Sequence, residues 1–236
     1  MIGIIDYDAG NIKSVERALD ALGIEYIRSK KPLELEKADK LIFPGVGEAE
    51  FAMNQLKSTG GDSFIKDFAA SGKPLLGICL GSQVIFDYSE EGDTQCLGIL
   101  KGKIRHFEGL FKENDVSYIG SDSKRHGTKG AVLKIPHMGW SSLTFNKNGA
   151  PVQSDSERSK FYLVKDIRDG SDFYFVHSYV IQPEDENIVV MWANYGVPVP
   201  AMIHSGNVMA AQFHPEKSAG CGLSILRAFA EGCQDA

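Results

Sequence analysis

The sequence predicts an α/β protein in which a mostly parallel sheet is covered by helices on both faces. Short apolar runs alternate with helix-patterned segments throughout residues 1–90, and this alternation is typical of βαβ units. After about residue 100 the segments become strand-like and are joined by turns. This change indicates additional, antiparallel strands in the second half of the chain.

The individual elements follow from their hydrophobic patterns. The apolar run 2–5 predicts a first strand, and 11–22 predicts a helix because Val15, Leu19 and Leu22 recur on one helical face before Gly23. The pattern then predicts strands at 25–28, 41–43 and 75–78, with helices at 48–57 and 62–71. In the second half it predicts strands at 102–107, 131–135, 160–167, 172–177, 187–193 and 208–213 and a closing helix at 219–232.

Length and composition favour a single domain that spans residues 1–236. The 236 residues are 43% hydrophobic, which suffices for a full core, and we find no linker or internal repeat. Residues 108–130 are polar and weakly periodic. We expect them to form an insertion loop that can contain a short hairpin.

The charge pattern and the apolar content exclude several classes of function. A net charge of −6 without a basic cluster argues against nucleic-acid or anionic-membrane partners. No apolar run reaches the roughly 18 residues of a membrane-spanning helix, and the first apolar stretch is too short and too acidic for a signal peptide. The four cysteines form neither a C-x-x-C pair nor a zinc-ligand spacing. We therefore expect a cytoplasmic protein with reduced thiols and with no metal or cofactor.

The stretch KPLLGICLGSQ, residues 73–83, places a cysteine where a buried strand gives way to a helix. Gly77 and Gly81 flank Cys79, as at the nucleophile elbow of hydrolases, where larger side chains would collide with neighbouring strands. The following helix would direct its first N–H groups at the sulfur and at an oxyanion. On this stretch alone, a buried structural cysteine is the alternative interpretation.

A base for this thiol is predicted at the end of another strand. In AAQFHPEKS, His214 follows the apolar segment 208–213 and precedes Glu216 by two residues. A carboxylate at this spacing can orient the imidazole and stabilise its protonated form. Because open α/β sheets bind ligands at the carboxyl ends of their strands, we expect Cys79, His214 and Glu216 to meet there, beside the 44–47 segment.

Together, GICLGSQ and QFHPEKS resemble the triad-type, class I glutamine amidotransferases. The resemblance implies a flavodoxin-like α/β fold and a Cys–His–Glu glutaminase. Cys79 would be the nucleophile, His214 the general base and acid, and Glu216 its orienting carboxylate. Within that family the chain is similar to the glutaminase subunits of imidazole glycerol phosphate synthase. The similar segments are DYDAGNIKSV (6–15), FPGVGEAEFAM (43–53), SEEGDTQCLGILKGKIRHF (89–107), IPHMGWSSL (135–143), FYFVHSY (173–179) and HPEKS (214–218).

The same resemblance implies roles for further residues. Amide N–H groups of Leu80 and of Val46 or Gly47 would form the oxyanion hole. A second group would hold the substrate glutamine, namely Gly45, Gln83, Ser178 and Tyr179. A third group would face or communicate with a synthase partner, namely Asn11, Pro136, His137, Met138, Trp140, Tyr174 and Lys217.

The implied partner is a (β/α)8-barrel synthase/cyclase that forms a heterodimer with the glutaminase. It would receive ammonia through a sealed passage and make imidazole glycerol phosphate and AICAR in histidine biosynthesis. The chain departs from the family pattern at Ser82, where methionine is common, at Ser141, where asparagine is usual, and in the length of 108–130. Three alternatives therefore stay open: a paralogous glutaminase of bacterial surface-sugar amidation, a non-catalytic regulatory subunit, and a free-standing γ-glutamyl hydrolase.

Overall fold

The computed structural model describes residues 1–8, 12–128, 130–147 and 161–232. Within these ranges the helices are α1 (Ile12–Leu22), α2 (Pro32–Leu35), α3 (Ala49–Thr59), α4 (Gly61–Ala70), α5 (Leu80–Val84), α6 (Phe107–Glu113) and α7 (Ala219–Glu231). The strands are β1 (Ile2–Ile5), β2 (Tyr26–Ser29), β3 (Lys40–Gly45), β4 (Leu75–Cys79), β5 (Tyr88–Ser89), β6 (Thr94–Gln95), β7 (Gly102–His106), β8 (Tyr118–Ile119), β9 (Arg125–His126), β10 (Leu133–Lys134), β11 (His137–Ser142), β12 (Asp172–His177), β13 (Tyr179–Pro183), β14 (Val189–Asn194), β15 (Pro198–Ser205) and β16 (Val208–Ala211). None of the helices in these ranges has the length and apolar character to cross a membrane.

Among the described strands, seven form the central sheet in the order β14-β15-β16-β4-β3-β1-β2. The five strands from β16 to β2 are parallel to one another. β15 pairs antiparallel with β16, and β14 pairs antiparallel with β15. Starting from the β2 edge, the parallel strands are β2-β1-β3-β4-β16. When these five are numbered by their order along the chain, the arrangement is 2-1-3-4-5, which is typical of flavodoxin-like folds. The predicted fold class is therefore confirmed.

Helices cover both faces of this sheet because successive residues of a strand point to opposite sides. In β3, Leu41 and Phe43 are buried in one apolar cluster, which includes Leu56 of α3. Ile42 is buried in the other cluster, which includes Leu226 of α7. The near-continuous apolar runs of the first half follow from this two-sided burial.

Three smaller sheets accompany the central one in the described part of the chain. The strands β13-β7-β5-β6 form one, β11 and β12 pair antiparallel in a second, and β10-β8-β9 form the third. The antiparallel β8–β9 pair lies in the segment 108–130, where a loop with a hairpin is expected. The same segment also contains most of α6, which is not predicted, although Phe107, Leu110 and Phe111 are buried on one face of that helix.

Other segments differ from the sequence prediction for physical reasons. Residues 161–167 form no strand: the N–H groups of Val164 and Ile167 each donate to the carbonyl three residues earlier, as in 3₁₀ turns. β15 is absent from the sequence prediction. Prolines disfavour strands, but Pro198 stands at the first position of β15, where proline is tolerated, and Pro200 lies opposite Trp192 of β14. The prediction also omits α2, β5, β6, β11 and β13, and its strands at 131–135 and 208–213 extend beyond β10 and β16.

The segments predicted to carry chemistry lie side by side at one edge of the central sheet. Gly45, at the end of β3, is the direct neighbour of Cys79, at the end of β4. β16 is the other neighbour of β4 and ends at Ala211, shortly before His214. Because all three strands are parallel, their carboxyl ends converge on one site.

Candidate active site

Cys79 occupies the strained corner that its flanking glycines predict. Its φ is 52° and its ψ is −110°, a conformation that costs a non-glycine residue free energy and clusters at functional sites. A Cβ on Gly77 would lie 2.8 Å from the carbonyl oxygen of Gly81, and one on Gly81 would lie 1.8 Å from the carbonyl oxygen of Phe43. Close packing therefore requires glycine at both positions.

Ser82 supports the corner from the interior. Its side chain is fully buried, and its Oγ donates a hydrogen bond of 2.6 Å to the carbonyl oxygen of Cys79. The sulfur of Cys79 lies 3.8 Å from the carbonyl oxygen of Val176 in β12. The departure from the family pattern at Ser82 thus provides a hydrogen bond to the backbone of the cysteine.

His214 and Glu216 form a buried pair that interacts with Cys79. Nδ1 of His214 lies 2.8 Å from Oε1 of Glu216, and both side chains are 1% exposed. Burial disfavours the protonated imidazole, but the interactions with Cys79 and Glu216 outweigh burial and raise the pKa of His214 to about 10. Because Glu216 holds Nδ1, Nε2 is the nitrogen that can exchange protons with a thiol or a substrate.

Backbone contacts anchor the His214 segment to β12. The N–H of His214 donates to the carbonyl oxygen of Tyr174 at 2.9 Å. The N–H of Tyr174 donates to Oγ of Ser218 at 2.9 Å, and that hydroxyl donates to the carbonyl oxygen of His214 at 2.6 Å. The position of the imidazole therefore depends on the position of Tyr174.

A cavity of about 260 Å³ lies beside Cys79. Six of the residues expected at the oxyanion hole or the substrate line it together with the cysteine, namely Val46, Gly47, Leu80, Gln83, Ser178 and Tyr179. Glu91 also lines the cavity and is not predicted. Its Oε2 accepts a hydrogen bond of 2.9 Å from the N–H of Ala49, and burial raises its pKa. The only sequence signal for Glu91 is its place in the quoted segment 89–107.

A series of hydrogen bonds fixes one wall of the cavity. Nε2 of Gln83 and Nδ1 of His177 both donate to the carbonyl oxygen of Tyr179, at 3.1 and 2.7 Å. Because Nδ1 of His177 donates, its Nε2 accepts from Nδ1 of His137 at 3.0 Å, and Nε2 of His137 accepts from the hydroxyl of Ser141 at 2.8 Å. Burial lowers the pKa of His137 to about 4 and that of His177 to about 3. Both rings are therefore neutral near pH 7.

Four of the residues expected to face a partner form a group at the surface, which we call the aromatic patch: the exposed Met138, Trp140 and Lys217 and the half-buried Tyr174. Met138 and Trp140 are 62% and 55% exposed. The rings of Trp140 and Tyr174 pack edge to face with centroids 6.0 Å apart, and Nζ of Lys217 lies 5.9 Å from the Tyr174 ring centre. Large exposed apolar side chains that cluster in this way are typical of interaction sites.

The other residues expected at a partner surface have different positions. His137 is 2% exposed and belongs to the hydrogen-bonded wall described above, so it does not itself face outward. Pro136 lines the cavity beside Cys79. Asn11 lies outside the described residues.

Comparison with known proteins finds relatives along nearly the whole chain. Residues 3–231 match the glutamine amidotransferase class-I family. The chain is 43% identical over 228 residues to imidazole glycerol phosphate synthase subunit HisH of Halalkalibacterium halodurans, covering 96% of this chain and 94% of that one. It is 43% identical over 230 residues to the subunit of the same name from Bacillus subtilis, covering 97% and 95%. A crystal structure of a glutamine amidotransferase superposes with a TM-score of 0.65 at 19% identity, covering 97% and 96%.

The relatives correct one expectation. The two alignments span nearly the whole of this chain and nearly the whole of each relative, so the chain and these relatives have similar lengths. The segment 108–130 therefore does not make this chain longer than they are. The structural match supports the fold, and the resemblance inferred from the motifs is confirmed by the family match. The chain belongs to the glutamine amidotransferase class-I family, and the two relatives described above are HisH subunits of imidazole glycerol phosphate synthase.

Proposed function

We propose that this chain is the glutaminase subunit of an imidazole glycerol phosphate synthase. It hydrolyses glutamine to glutamate and ammonia with Cys79, His214 and Glu216, and it delivers the ammonia to a synthase partner for histidine biosynthesis. The observation that carries this proposal is the strained Cys79 beside a buried His214–Glu216 pair, at the wall of a small cavity.

The first half of the reaction forms a thioester. The Cys79 thiolate attacks the side-chain amide carbon of glutamine, and the carbonyl π electrons move to the oxygen to give a tetrahedral oxyanion. The protonated Nε2 of His214 then transfers its proton to the amide nitrogen. The C–N bond breaks as the oxyanion collapses, which releases ammonia and leaves a glutamyl thioester on Cys79.

The second half hydrolyses the thioester. His214, now neutral, takes a proton from water while the water oxygen attacks the thioester carbon. Collapse of the second tetrahedral intermediate breaks the C–S bond and releases glutamate, and the thiolate and the protonated imidazole are restored. Glu216 accepts the Nδ1–H hydrogen bond throughout and stabilises the imidazolium, as the carboxylate of a triad does.

The cavity supplies groups that suit glutamine. In this proposal the N–H of Leu80, with that of Val46 or Gly47, stabilises the oxyanion, and one such donor typically lowers the barrier by about 3 kcal/mol. Gln83, Ser178 and Tyr179 hold the amino-acid end of the substrate. Glu91 adds a carboxylate that can pair with the α-ammonium group.

The partner in this proposal is a (β/α)8-barrel synthase/cyclase that docks on the aromatic patch as a heterodimer. Ammonia that is protonated in bulk water becomes ammonium, which has no lone pair and is not a nucleophile, so direct transfer into the partner protects it. The contact from Tyr174 to the backbone of His214 gives the partner surface a physical connection to the triad. The HisH relatives support the pathway, and the cysteine usage, without a C-x-x-C pair, supports a cytoplasmic location.

The proposal is tested by glutamate release from the purified complex with the barrel partner. Cys79→Ala is expected to lower the rate at least a thousandfold, because no other described cysteine is suited to replace it. Burial raises the pKa of Cys96 to about 12, and Cys221 lies in α7, away from the cavity. Cys221→Ser is the matched control and should retain wild-type activity. Equal rates for Cys79→Ala and wild type would exclude the proposal.

The alternatives give different results in the same assay. A free-standing hydrolase would be fully active without the partner, and a regulatory subunit would release no glutamate with it. A surface-sugar glutaminase would be stimulated by a sugar-modifying barrel rather than by a synthase of imidazole glycerol phosphate. The HisH relatives favour the histidine route.

A further inference from the structure

Tyr7 follows β1 at the carboxyl edge of the central sheet, within the DYDAGN segment, and none of the roles above involves it. Its side chain is 2% exposed. Its hydroxyl is buried and makes no hydrogen bond to any residue that the structure describes. A buried hydroxyl without a partner is costly, and most native structures avoid it.

The hydroxyl lies against Gly45, at the end of the β3 segment that would contribute to the oxyanion hole. A Cβ on Gly45 would lie 2.0 Å from the Tyr7 hydroxyl oxygen, 3.1 Å from Cβ of Leu80 and 3.2 Å from the amide nitrogen of Gly81. The hydroxyl therefore contacts the end of β3 where β3 approaches the Cys79 corner. The ring is fixed by edge-to-face packing on Phe43, with centroids 5.4 Å apart.

The Tyr7 hydroxyl keeps its proton and is therefore available as a hydrogen-bond donor. Burial, and to a smaller degree the negative charge of Cys79, raise the pKa of Tyr7. The group is consequently protonated near pH 7. A buried donor here that meets no acceptor among the described residues can serve an acceptor that becomes available in another state of the site.

Peptide geometry identifies that acceptor. In a trans peptide the N–H and the C=O point in opposite directions. When an amide of the Gly45–Gly47 segment turns its N–H toward the oxyanion, the carbonyl of the same peptide must point away from the cavity. Tyr7 contacts Gly45 and is not among the residues that line the cavity, so its hydroxyl is available to a carbonyl that turns away from the cavity.

We propose that Tyr7 is a positioning residue of the oxyanion hole, whose hydroxyl donates to a carbonyl of the Gly45–Gly47 segment while the amide of that peptide binds the oxyanion. This inference rests on the proposed glutaminase function. It gives the buried hydroxyl a partner only in the state that stabilises the tetrahedral intermediates. The hydroxyl therefore lowers the barrier without improving glutamine binding.

The variant Tyr7→Phe tests the inference because it removes the hydroxyl and keeps the ring. Tyr118→Phe is the matched control: Tyr118 is 1% exposed, its hydroxyl also lacks a hydrogen bond among the described residues, and it lies in the β10-β8-β9 sheet. In complex with the partner, Tyr7→Phe is expected to lower kcat for glutamate release about tenfold, which corresponds to about 1.4 kcal/mol. The KM for glutamine should change less than about twofold, and Tyr118→Phe should change neither constant.

Alkylation of Cys79 by iodoacetamide separates positioning from damage to the corner. This reaction uses the thiolate but forms no oxyanion, so its rate should be the same in Tyr7→Phe and wild type. An unchanged kcat in Tyr7→Phe would overturn the inference, and so would a loss of alkylation that parallels the loss of kcat or an equal loss in Tyr118→Phe. Failure of the proposed function is seen separately, as undiminished glutamate release by Cys79→Ala.

Discussion

Replacing Glu216 by glutamine removes one negative charge from the triad without changing the size of the side chain. The carboxylate lies 2.8 Å from Nδ1 of His214, and water does not screen the pair because both side chains are 1% exposed. At an effective dielectric constant of about 20, two opposite unit charges at this distance attract by about 6 kcal/mol. Delocalisation of both charges makes this value an upper limit. We therefore expect the pKa of His214 to fall by about two units or more, at 1.36 kcal/mol for each unit.

Two measurements follow this change. Titration of the histidine ring signals by NMR should place the pKa of His214 clearly below its value of about 10 in the wild type. Glutamate release by the complex should fall roughly 10³- to 10⁴-fold in kcat, as when a triad loses the carboxylate that orients its histidine. The reason is that the imidazolium loses its stabilising partner and the ring loses its fixed tautomer.

The control is Glu113→Gln, which removes a carboxylate from an exposed ion pair with Arg105 at 2.6 Å. Exposed pairs contribute little, so this variant should leave both the pKa of His214 and kcat unchanged. If Glu216→Gln kept the His214 pKa near 10, or kept kcat within tenfold of the wild type, the role assigned to Glu216 would be wrong.

Three further predictions concern stability and assembly. Gly81→Ala should lower the free energy of unfolding by about 2 kcal/mol or more in urea titrations, because its Cβ would lie 1.8 Å from a β3 carbonyl oxygen. At Gly220 an added Cβ would have no atom within 4 Å beyond its chain neighbours and the backbone of its own helix, so Gly220→Ala should be neutral or stabilising. Stability should fall as the pH drops from about 6.5 toward 4, because the unfolded chain protonates His137 and His177 before the folded one does. His137→Gln should reduce that slope by up to about 1.4 kcal/mol per pH unit, and an unchanged slope would contradict the buried neutral pair. Trp140→Ala should weaken binding of the barrel partner about tenfold or more in calorimetry without changing the melting temperature, and unaltered affinity would exclude the aromatic patch as the interface.

The parallel part of the fold could be predicted from the sequence because its strands are buried on both faces. Runs such as 41–43 and 75–78 then read as short, continuous apolar segments between helical patterns. The second half was less predictable because its strands are paired by long-range contacts that local patterns do not encode. β15 contains prolines and β11 contains Gly139, and both look unfavourable for strands until the partner strand is known.

The candidate triad could be predicted because each member follows a strand and has a distinct local pattern. Glycines flank Cys79, and Glu216 stands two residues after His214. The support around the triad could not be predicted in the same way. The pairing of His177 with His137 depends on the register of β11 against β12, and the contact of Tyr7 with Gly45 depends on how the neighbouring strands β1 and β3 end.

The central claim is that Cys79 carries the glutamyl group during turnover. The direct test is to mix the complex with glutamine, quench it in acid within the time of one turnover, and identify the modified peptide by mass spectrometry. We predict a glutamyl thioester on the peptide that contains Cys79, at a level that falls to zero in Cys79→Ala. Steady glutamate release without that adduct, or an adduct on Cys96 or Cys221 instead, would contradict the account.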